Sequence, residues 1–371
     1  MTVHHTDCRH FRGDRPCDFR RPCEGCGDYS PMGLRILVIK LAATGDVLRT
    51  TPILPAIKRE HPRSHVTWLT RPESLELLQG LEEIDRALAL DADSVAYLPA
   101  ERFDVVMCLD KEPAATGLAA RLDAPDKRGF VLGPHGNPLP AGPAADYAYR
   151  LGLDDELKFR TNQRTYQDIT FEMVGLGWDH QDYRLEIPRR ARDRAAARWK
   201  RLGVGPDERV VGLNVGAGEA FAHKDWRVEG WALLVRLVET RLGARVALLG
   251  GPDDRERVEA VASLAGPTAL DPGATPSILE FAALLERCAA VVTGDTLAMH
   301  LALARRRPVV ALFGSTCPQE VELYGRGEKI VPKIDCHPCY RSQCSLQPSC
   351  ADAIPAETVL GAVSRVLRAP R

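Results

Sequence analysis

Eight of the eleven cysteines lie in two groups, one near each end of the 371-residue chain. The first group has the spacing C-x8-C-x5-C-x2-C, and the second has the spacing C-x2-C-x4-C-x5-C. Four thiolates form the ligand set of closed structural zinc sites and of protein-bound iron. We therefore predict a structural metal at these groups, zinc or iron, with an iron–sulfur cluster as an alternative. The predicted ligands are Cys8, Cys17, Cys23, Cys26, Cys336, Cys339, Cys344 and Cys350.

Disulfides and free thiols are the competing interpretations of these cysteines. The N-terminus has no apolar stretch typical of a signal peptide, and no apolar run is long enough for a membrane span. We therefore expect a cytoplasmic protein, in which stable disulfides are rare. Eight free thiols near solvent would be prone to oxidation. Metal binding is favoured, either as two sites or as one shared across the termini, and the scattered Cys108, Cys288 and Cys317 are expected to be buried.

A carboxylate follows a small-residue turn in the stretch KLAATGDVLRTTP (40–52). Gly45 there lets the backbone approach a ligand, and Asp46 lies near the start of a predicted helix. Such a position at the carboxyl edge of a parallel sheet is where α/β folds bind ligands. Asp46 could take a proton from a substrate hydroxyl as a general base. It could equally cap the helix, and the stretch lacks the GxGxxG dinucleotide fingerprint.

Four similar turns follow predicted strands in the second half of the chain. NVGAGEAFAHKDW (214–226) has the glycines and the lysine of a phosphate cradle, although a surface loop with a solvated lysine fits too. In VVTGDTLAMHLALA (291–304) a predicted helix begins after Gly-Asp-Thr and offers its N-terminus to a phosphate. A histidine in such an apolar helix is more often a core residue than a catalyst. Together the turns indicate a nucleotide or nucleotide-sugar cleft. The candidate residues are Asn214, Gly216, Lys224, Asp254, Asp295, Thr296, His300, Ser315 and Thr316.

Continuous apolar runs that alternate with helical stretches predict the elements that position these turns. Such runs are typical of buried parallel strands, so we expect an α/β fold with two Rossmann-like halves. The predicted strands lie at 35–41, 65–70, 86–90, 103–110, 209–218, 245–251, 289–295 and 308–314. One helix is expected after the first strand, and the Pro/Gly-rich stretch 133–165 is expected to be irregular. The halves are predicted to join near residues 180–195.

Three stretches of the chain resemble glycosyltransferase family 9, the ADP-heptose:lipopolysaccharide heptosyltransferases. They are ILVIKLAATGDVLRTTPILPAIK, GAGEAFAHKDW and GDTLAMHLALA…PVVALFGST, and the likeness covers roughly residues 34–330. The resemblance implies a GT-B architecture of two facing Rossmann-like domains, here with cysteine-rich metal-binding appendages at both ends. The expected parts are a 1–32 arm, a 33–190 acceptor domain, a 191–332 nucleotide-sugar donor domain, a 333–353 cysteine-rich loop and a 354–371 helix.

The resemblance also implies roles for individual residues. Asp46 matches the acid/base position, Lys224 the lysine that meets the donor phosphate, and Asp254 the acidic residue for the donor ribose. Asp295, Thr296 and His300 match the Asp-Thr…His element of the family. This chain departs from the usual Asp-Thr-Gly-Pro-Met-His pattern by having Leu297 and Ala298, which leave a less flexible backbone.

The implied reaction is an inverting transfer of a heptose or related sugar from an ADP-activated donor, with Asp46 as the base and no catalytic divalent metal. Lys224 and the amides around Thr296 would stabilise the departing diphosphate. Gly45 adjoins the acceptor side of the cleft. Arg71 and Lys111, each near a predicted strand end, could meet acidic groups of a lipopolysaccharide core acceptor, although each alone is more typical of exposed surface charge.

Other functions remain open from the sequence. Autotransporter heptosyltransferases are similar in carrying a four-cysteine iron-binding finger near the C-terminus, which makes a protein an alternative acceptor. A nucleotide-sugar epimerase has less motif support. A metal-finger nucleic-acid-binding protein is disfavoured by the formal net charge of −1. The arginines of the first arm could instead contact anionic lipid, which would place the protein peripherally on the inner membrane.

Overall fold

Two sheets of mainly parallel strands form the computed structural model, which describes residues 3–216, 226–341 and 344–369. The strands of the first sheet are β1 Arg35–Ile39, β2 His65–Thr70, β3 Arg86–Ala89, β4 Val105–Cys108, β5 Asp126–Leu132 and β6 Pro138–Pro140. Their spatial order is β3-β2-β1-β4-β5-β6, and β6 alone among these described strands runs antiparallel to its neighbour. The inner strands β1 and β4 are apolar and buried along nearly their whole length, as strands covered on both faces must be.

The second sheet is parallel throughout its described strands. These are β7 Val210–Asn214, β8 Arg245–Leu249, β9 Ala290–Gly294, β10 Val309–Leu312 and β11 Gly327–Ile330. The order is β11-β10-β9-β7-β8, so the chain enters the sheet near one edge and crosses over β7 to reach β9. This reversal of direction opens a crevice at the carboxyl ends of the central strands, the usual ligand position in open α/β sheets.

Helices cover both faces of each sheet. Those of the first half are α1 Thr44–Thr50, α2 Ile53–Glu60, α3 Ala92–Tyr97, α4 Pro113–Arg121, α5 Asp146–Arg150 and α6 Tyr166–Val174. Those that follow are α7 Arg189–Arg201, α8 Val228–Leu242, α9 Arg255–Ala265, α10 Ile278–Glu286, α11 Leu297–Ala304 and α12 Ala356–Arg368. In the described residues, no helix is long and apolar enough to cross a membrane.

The apolar cores of the two halves are continuous at one place. Leu48 of α1 and Leu77 of the first half belong to the same buried cluster as Met299 of α11. Burial of apolar surface at this junction stabilises one relative position of α1 and α11. The chain segments that carry Asp46 and His300 are therefore packed directly against each other.

Some element predictions are wrong in detail. The helix expected after β1 is two helices, because Pro52 has no amide hydrogen to continue the first one. The predicted junction at 180–195 already contains the start of α7, and the predicted domain limit at residue 190 falls inside that helix. The stretch 133–165 holds only short elements, namely β6, α5 and a π-helical turn at Leu157–Thr161. The other predicted domain limits remain predictions.

Besides the short β6, two strands were absent from the prediction. β5 begins with Asp126, Lys127 and Arg128, so it lacks the apolar run that reveals a buried strand. β11 has only four residues and lies at the edge of its sheet, where polar residues are tolerated. Both strands are defined by hydrogen bonds to a neighbouring strand rather than by a pattern of their own.

Candidate active site

A cleft of about 990 Å³ lies where the carboxyl ends of strands from both sheets face each other. Nine of the predicted site residues line it, from both halves of the chain. These are Gly45, Asp46, Asn214, Gly216, Asp254, Asp295, Thr296, His300 and Thr316. Lys224 lies outside the described residues, so its predicted contact with a donor phosphate stays a prediction.

Asp46, in the first turn of α1, has two cations beside its carboxylate. Arg49 Nε lies 2.9 Å from Asp46 Oδ1, and Lys40 Nζ lies 3.8 Å from Asp46 Oδ2. Burial acts to raise the pKa of Asp46, but the charges of Arg49 and Lys40, with His300 nearby, outweigh it and hold that pKa below its ordinary value. The carboxylate is therefore ionised at neutral pH and able to accept a proton. Asp46 also takes part in capping α1, as the alternative interpretation predicts, because its Oδ2 accepts the N–H of Ala43 at 3.4 Å.

A buried ion pair lies beneath Asp46. Lys40, at the end of β1, contacts the carboxylate of Asp110, which follows β4 and also accepts the N–H of Leu41. Lys40 is 3% exposed, and without these carboxylates its burial would favour the neutral amine. The sequence prediction missed both residues. The sequence did contain a signal for them, a charged residue near the C-terminal end of an otherwise apolar run. These residues are Lys40 in RILVIKL and Asp110 in FDVVMCLD.

Arg49 was missed as well, although it follows Asp46 by one helical turn. Its guanidinium lies 3.8 Å from the centroid of the Tyr166 ring, a distance typical of cation–π contacts. The ring limits the positions open to the arginine and so keeps its charge against Asp46. Arg49 also lines the cleft.

His300 of α11 is both a core residue and part of the cleft wall. It is 4% exposed, and its Nδ1 lies 3.2 Å from the hydroxyl of Tyr183. On the other side the ring lies against the backbone of Gly45, where an added Cβ would be 2.9 Å from His300 Cδ2. His300 thus joins α11 of the second half to the turn that carries Asp46.

Two turns of the second sheet interlock through Asp254. The Asp254 carboxylate accepts the N–H of Gly251 at 2.7 Å and lies where a Cβ on Gly216 would be. Asn214 donates from Nδ2 to the carbonyl of Gly216 at 2.8 Å and to Thr293 Oγ1 at 3.2 Å. Asp254 therefore fixes the glycine turns, and its position in the cleft also leaves it available to a ligand.

The turns after β9 and β10 present hydroxyl groups to the same cleft. The hydroxyl of Thr296 pairs with Thr293 Oγ1 at 3.0 Å and does not cap α11. Thr316 is 1% exposed, and its Oγ1 has no hydrogen-bond partner among the described residues. Buried hydroxyls are normally paired, so this one is suited to a ligand that enters the cleft. Ser315 is buried and, contrary to the prediction, does not line the cleft.

Neither predicted acceptor cation lines the cleft. Arg71 Nη2 pairs with Glu112 Oε2 at 2.7 Å. The Lys111 ammonium donates to the carbonyls of Ala148 and Tyr149 at 2.8 and 3.1 Å. Burial, with the charge of Lys158 nearby, lowers the pKa of Lys111 to about 8. The structure thus assigns both residues local partners, and their contact with an acceptor stays a prediction.

Glu76, Glu320 and Tyr340 also line the cleft and were missed. Glu76 Oε1 accepts the N–H of Ile278 at 2.8 Å, which connects the first half to the start of α10. Nothing in the local sequence marks Glu76 or Glu320 as cleft residues. Tyr340 lies between Cys339 and Cys344, in a stretch whose cysteine spacing predicts a metal site and not a cleft residue.

The two cysteine groups are each gathered in space. The N-terminal four line one cavity of about 20 Å³ in the arm of residues 3–32. In the loop of residues 336–350, called here the C-terminal cysteine loop, burial and the other three thiols raise the pKa of Cys350 to about 11. None of the eleven cysteines, all of which are described, is in a disulfide. Among the described residues, no three possible ligands already have the arrangement of a metal site.

Comparisons with known proteins identify the family of this chain. The sequence model of glycosyltransferase family 9 (heptosyltransferase) matches residues 98–349, more than half of the chain. The chain belongs to glycosyltransferase family 9. It is therefore a glycosyltransferase, as the resemblance of its motifs predicts. The matched range contains the predicted nucleotide-sugar turns of the second half and begins after Asp46.

Individual members of the family agree in sequence and fold. Lipooligosaccharide heptosyltransferase 2 of Haemophilus influenzae is 23% identical in an alignment of 316 residues that covers 77% of this chain and 85% of that protein. A family 9 glycosyltransferase structure from Veillonella parvula superposes with a TM-score of 0.71 at 20% identity, covering 90% of this chain and 97% of that one. The structure of E. coli ADP-heptose lipopolysaccharide heptosyltransferase II gives 0.63 at 18% identity, with 90% and 98% covered. The predicted GT-B-like α/β fold is confirmed.

Proposed function

We propose that this glycosyltransferase moves a heptose from ADP-heptose to a hydroxyl of the lipopolysaccharide core, with inversion at the anomeric carbon. The observation that carries the proposal is the direct packing of the Gly45–Asp46 turn against His300 of α11. A base on one wall thus faces the predicted donor site on the other. The choice of sugar and acceptor is supported by the family match and by the name of a relative, lipooligosaccharide heptosyltransferase 2.

Asp46 is the general base in this proposal. As the acceptor oxygen attacks the anomeric carbon, its proton passes to the Asp46 carboxylate and the new glycosidic bond forms. The bond between that carbon and the phosphate oxygen breaks, and its electron pair leaves with ADP. Because attack and departure occur on opposite faces, a single displacement inverts the configuration. Arg49 and Lys40 hold the base ionised beforehand.

The donor side stabilises the departing diphosphate. The first turn of α11 opens into the cleft at Leu297 and Ala298, so its amides and the helix dipole face the growing negative charge. Asp254 is placed for a ribose hydroxyl of the donor. Lys224 is proposed to add its ammonium. No divalent metal takes part in this scheme, so omitting Mg²⁺ and Mn²⁺ from the assay is expected to leave the rate unchanged.

The test is transfer by the purified chain with ADP-heptose and a delipidated inner-core acceptor, followed by product mass and by the anomeric configuration from NMR. Asp46→Asn should lower kcat by at least about 100-fold, as loss of a general base does. Asp93→Asn, in the first turn of α3, is the matched control and should change nothing. Full activity of Asp46→Asn, or retention of configuration, would contradict the proposal. Parallel reactions with UDP-sugars and with a protein acceptor test the alternative donor and the alternative acceptor.

The location follows from the acceptor. A core acceptor is carried on a membrane lipid, so the enzyme is proposed to work in the cytoplasm at the surface of the inner membrane. The arginine-rich arm would then contact anionic lipid. The nucleic-acid-binding interpretation of the cysteines loses its basis, because the family consists of enzymes that transfer sugars.

We also propose a structural metal, zinc or iron, for the cysteine groups. In the arm of residues 3–32, Cys8 is the only buried residue among those described, so the arm has almost no apolar core. Segments of fewer than about 40 residues usually need a crosslink, a metal or a partner to hold a fold. The backbone N–H groups of Phe19, Arg21 and Arg20, that of Phe19 most, lower the pKa of Cys17 against the opposing effect of burial. A lowered pKa favours the thiolate that a metal requires.

A further inference from the structure

The C-terminal cysteine loop reaches into the catalytic cleft. Tyr340, the residue after Cys339, lines the same cleft as Asp46. The backbone N–H groups of Cys339 and Tyr340 both donate to the carbonyl of Ser315 at 3.0 Å, so the loop is fixed to the turn that follows β10. A segment that the sequence presented as a separate appendage is therefore part of the cleft wall.

The Tyr340 ring is held by residues of the first half. Phe159 stacks on it with ring centroids 5.6 Å apart and an angle of 13°, and Lys158 Nζ lies 4.0 Å from its centroid. The backbone of Tyr340 has φ +51°, a left-handed conformation that bulky residues rarely adopt. Such conformations persist where surrounding contacts determine them, and they concentrate at ligand sites. The ring contacts here fix the direction of the hydroxyl.

The Tyr340 hydroxyl is directed at Glu320. It donates to Glu320 Oε2 at 3.3 Å, and both residues line the cleft. Glu320 Oε1 accepts no hydrogen bond from the described part of the chain, which leaves one carboxyl oxygen for a ligand. Burial raises the pKa of Glu320, while the charges of Lys158 and Arg49 oppose that rise. Arg49 thus lies near both Glu320 and Asp46, which places the pair close to the base.

A second hydroxyl site adjoins the pair. Thr316, at the start of the turn that ends in Glu320, is buried and has an Oγ1 without a partner among the described residues. A carboxylate, a phenol and an unpaired hydroxyl together provide both acceptors and donors. This combination suits neighbouring hydroxyl groups of a sugar, which donate and accept in turn. It does not suit a phosphate, which a carboxylate would repel.

We propose that Glu320 and Tyr340 form a hydroxyl-binding pair for the sugar at the transfer point, and that the C-terminal cysteine loop thereby contributes to substrate binding. The proposal rests on the proposed function and names a further specificity site for it. Both the transferred sugar and the acceptor sugar carry neighbouring hydroxyls. The experiment below therefore determines which of the two sugars the pair binds. The pair binds its sugar in the ground state and in the transition state alike.

The test compares Glu320→Gln and Tyr340→Phe with the wild-type enzyme. Tyr340→Phe keeps both ring contacts and removes only the hydroxyl. We expect KM to rise about 2–10-fold in Tyr340→Phe and about 10–100-fold in Glu320→Gln, with little change in kcat. The rise is expected for one substrate, and whether that is the nucleotide sugar or the acceptor identifies the sugar bound. Two matched controls outside the cleft, Glu322→Gln and Tyr97→Phe, should leave both KM values unchanged.

Thermal unfolding of each variant separates binding from structure. Equal midpoints with a raised KM support the pair, whereas a fall in both midpoint and kcat without a KM change assigns it a structural role and overturns the proposal. Active wild-type enzyme with unchanged KM values in both variants would also overturn it. If the wild type transfers no heptose, the proposed function fails instead. In that case the pair is tested by calorimetry, which compares the affinities of wild type and Glu320→Gln for ADP-heptose and for the acceptor. A weaker affinity of Glu320→Gln for one of them supports the pair, and equal affinities overturn it.

Discussion

The ring of His300 lies directly against Gly45, so that a Cβ at position 45 would come within 2.9 Å of His300 Cδ2. Real Cβ atoms rarely approach a neighbour so closely, and His300 is held from its other side by Tyr183. The contact makes the glycine necessary for the packing of α1 on α11. It also fixes the distance between Asp46, the proposed base, and the proposed donor side of the cleft.

Gly45→Ala should therefore separate these helices. We expect a loss of about 1–3 kcal/mol in the free energy of unfolding and a marked fall in kcat. Denaturant unfolding and transfer assays measure the two effects. Gly117→Ala in α4 is the control, because its new methyl group would lie 3.7 Å from the nearest atom, Leu132 Cδ2. That variant should be unchanged or up to about 1 kcal/mol more stable. Equal behaviour of the two variants would contradict the packing argument.

Gly216→Ala should disturb the turn that Asp254 holds. The added methyl group would overlap the Asp254 carboxylate, so that side chain must leave the N–H of Gly251. We expect ADP binding, measured by calorimetry, to weaken about tenfold or more, in line with the loss of a charged hydrogen bond. Gly205→Ala, which meets nothing within 4 Å, serves as the comparison. Undiminished ADP affinity in Gly216→Ala would place the nucleotide elsewhere.

Arg49→Gln should move the acid limb of the pH profile. The positive charge of Arg49 opposes the effect of burial and holds the pKa of Asp46 below its ordinary value. Without that charge the pKa of Asp46 rises, so the base becomes protonated at a higher pH. We expect kcat/KM to fall at a higher pH than in the wild type, with recovery as the pH is raised. Arg59→Gln on α2 should keep the wild-type profile, and an unmoved acid limb in Arg49→Gln would speak against Asp46 as the base.

Metal content separates the interpretations of the cysteines. Elemental analysis of the full chain should find about one zinc or iron per four-thiol group, and iron would also absorb visible light. Cys23→Ser and Cys344→Ser should each lower the content at their own group, while Cys288→Ala in the core should not. Eight thiols that react at once with a thiol reagent, in protein free of metal, would exclude the structural metal.

The strands were predictable to the extent that they are buried on both faces. β1, β4, β7 and β9 have continuous apolar runs because helices cover both sides of each sheet, and a small-residue turn follows soon after β1, β7 and β9. β5 and β11 carry charged residues and depend on a neighbouring strand, so the pattern did not show them. Pro52 marks the break between α1 and α2 in the sequence itself, and the prediction overlooked it.

The sequence by itself determined the family and nine of the residues that meet in one cleft, since the carboxyl ends of parallel strands must share an edge of their sheet. Only the tertiary structure decided what surrounds them. The pairing of Lys40 with Asp110, the contact of His300 with Gly45 and the entry of Tyr340 beside Glu320 each join residues that belong to different elements and are far apart in the chain. Such contacts depend on how the elements pack in three dimensions, and local residue patterns carry no record of that packing.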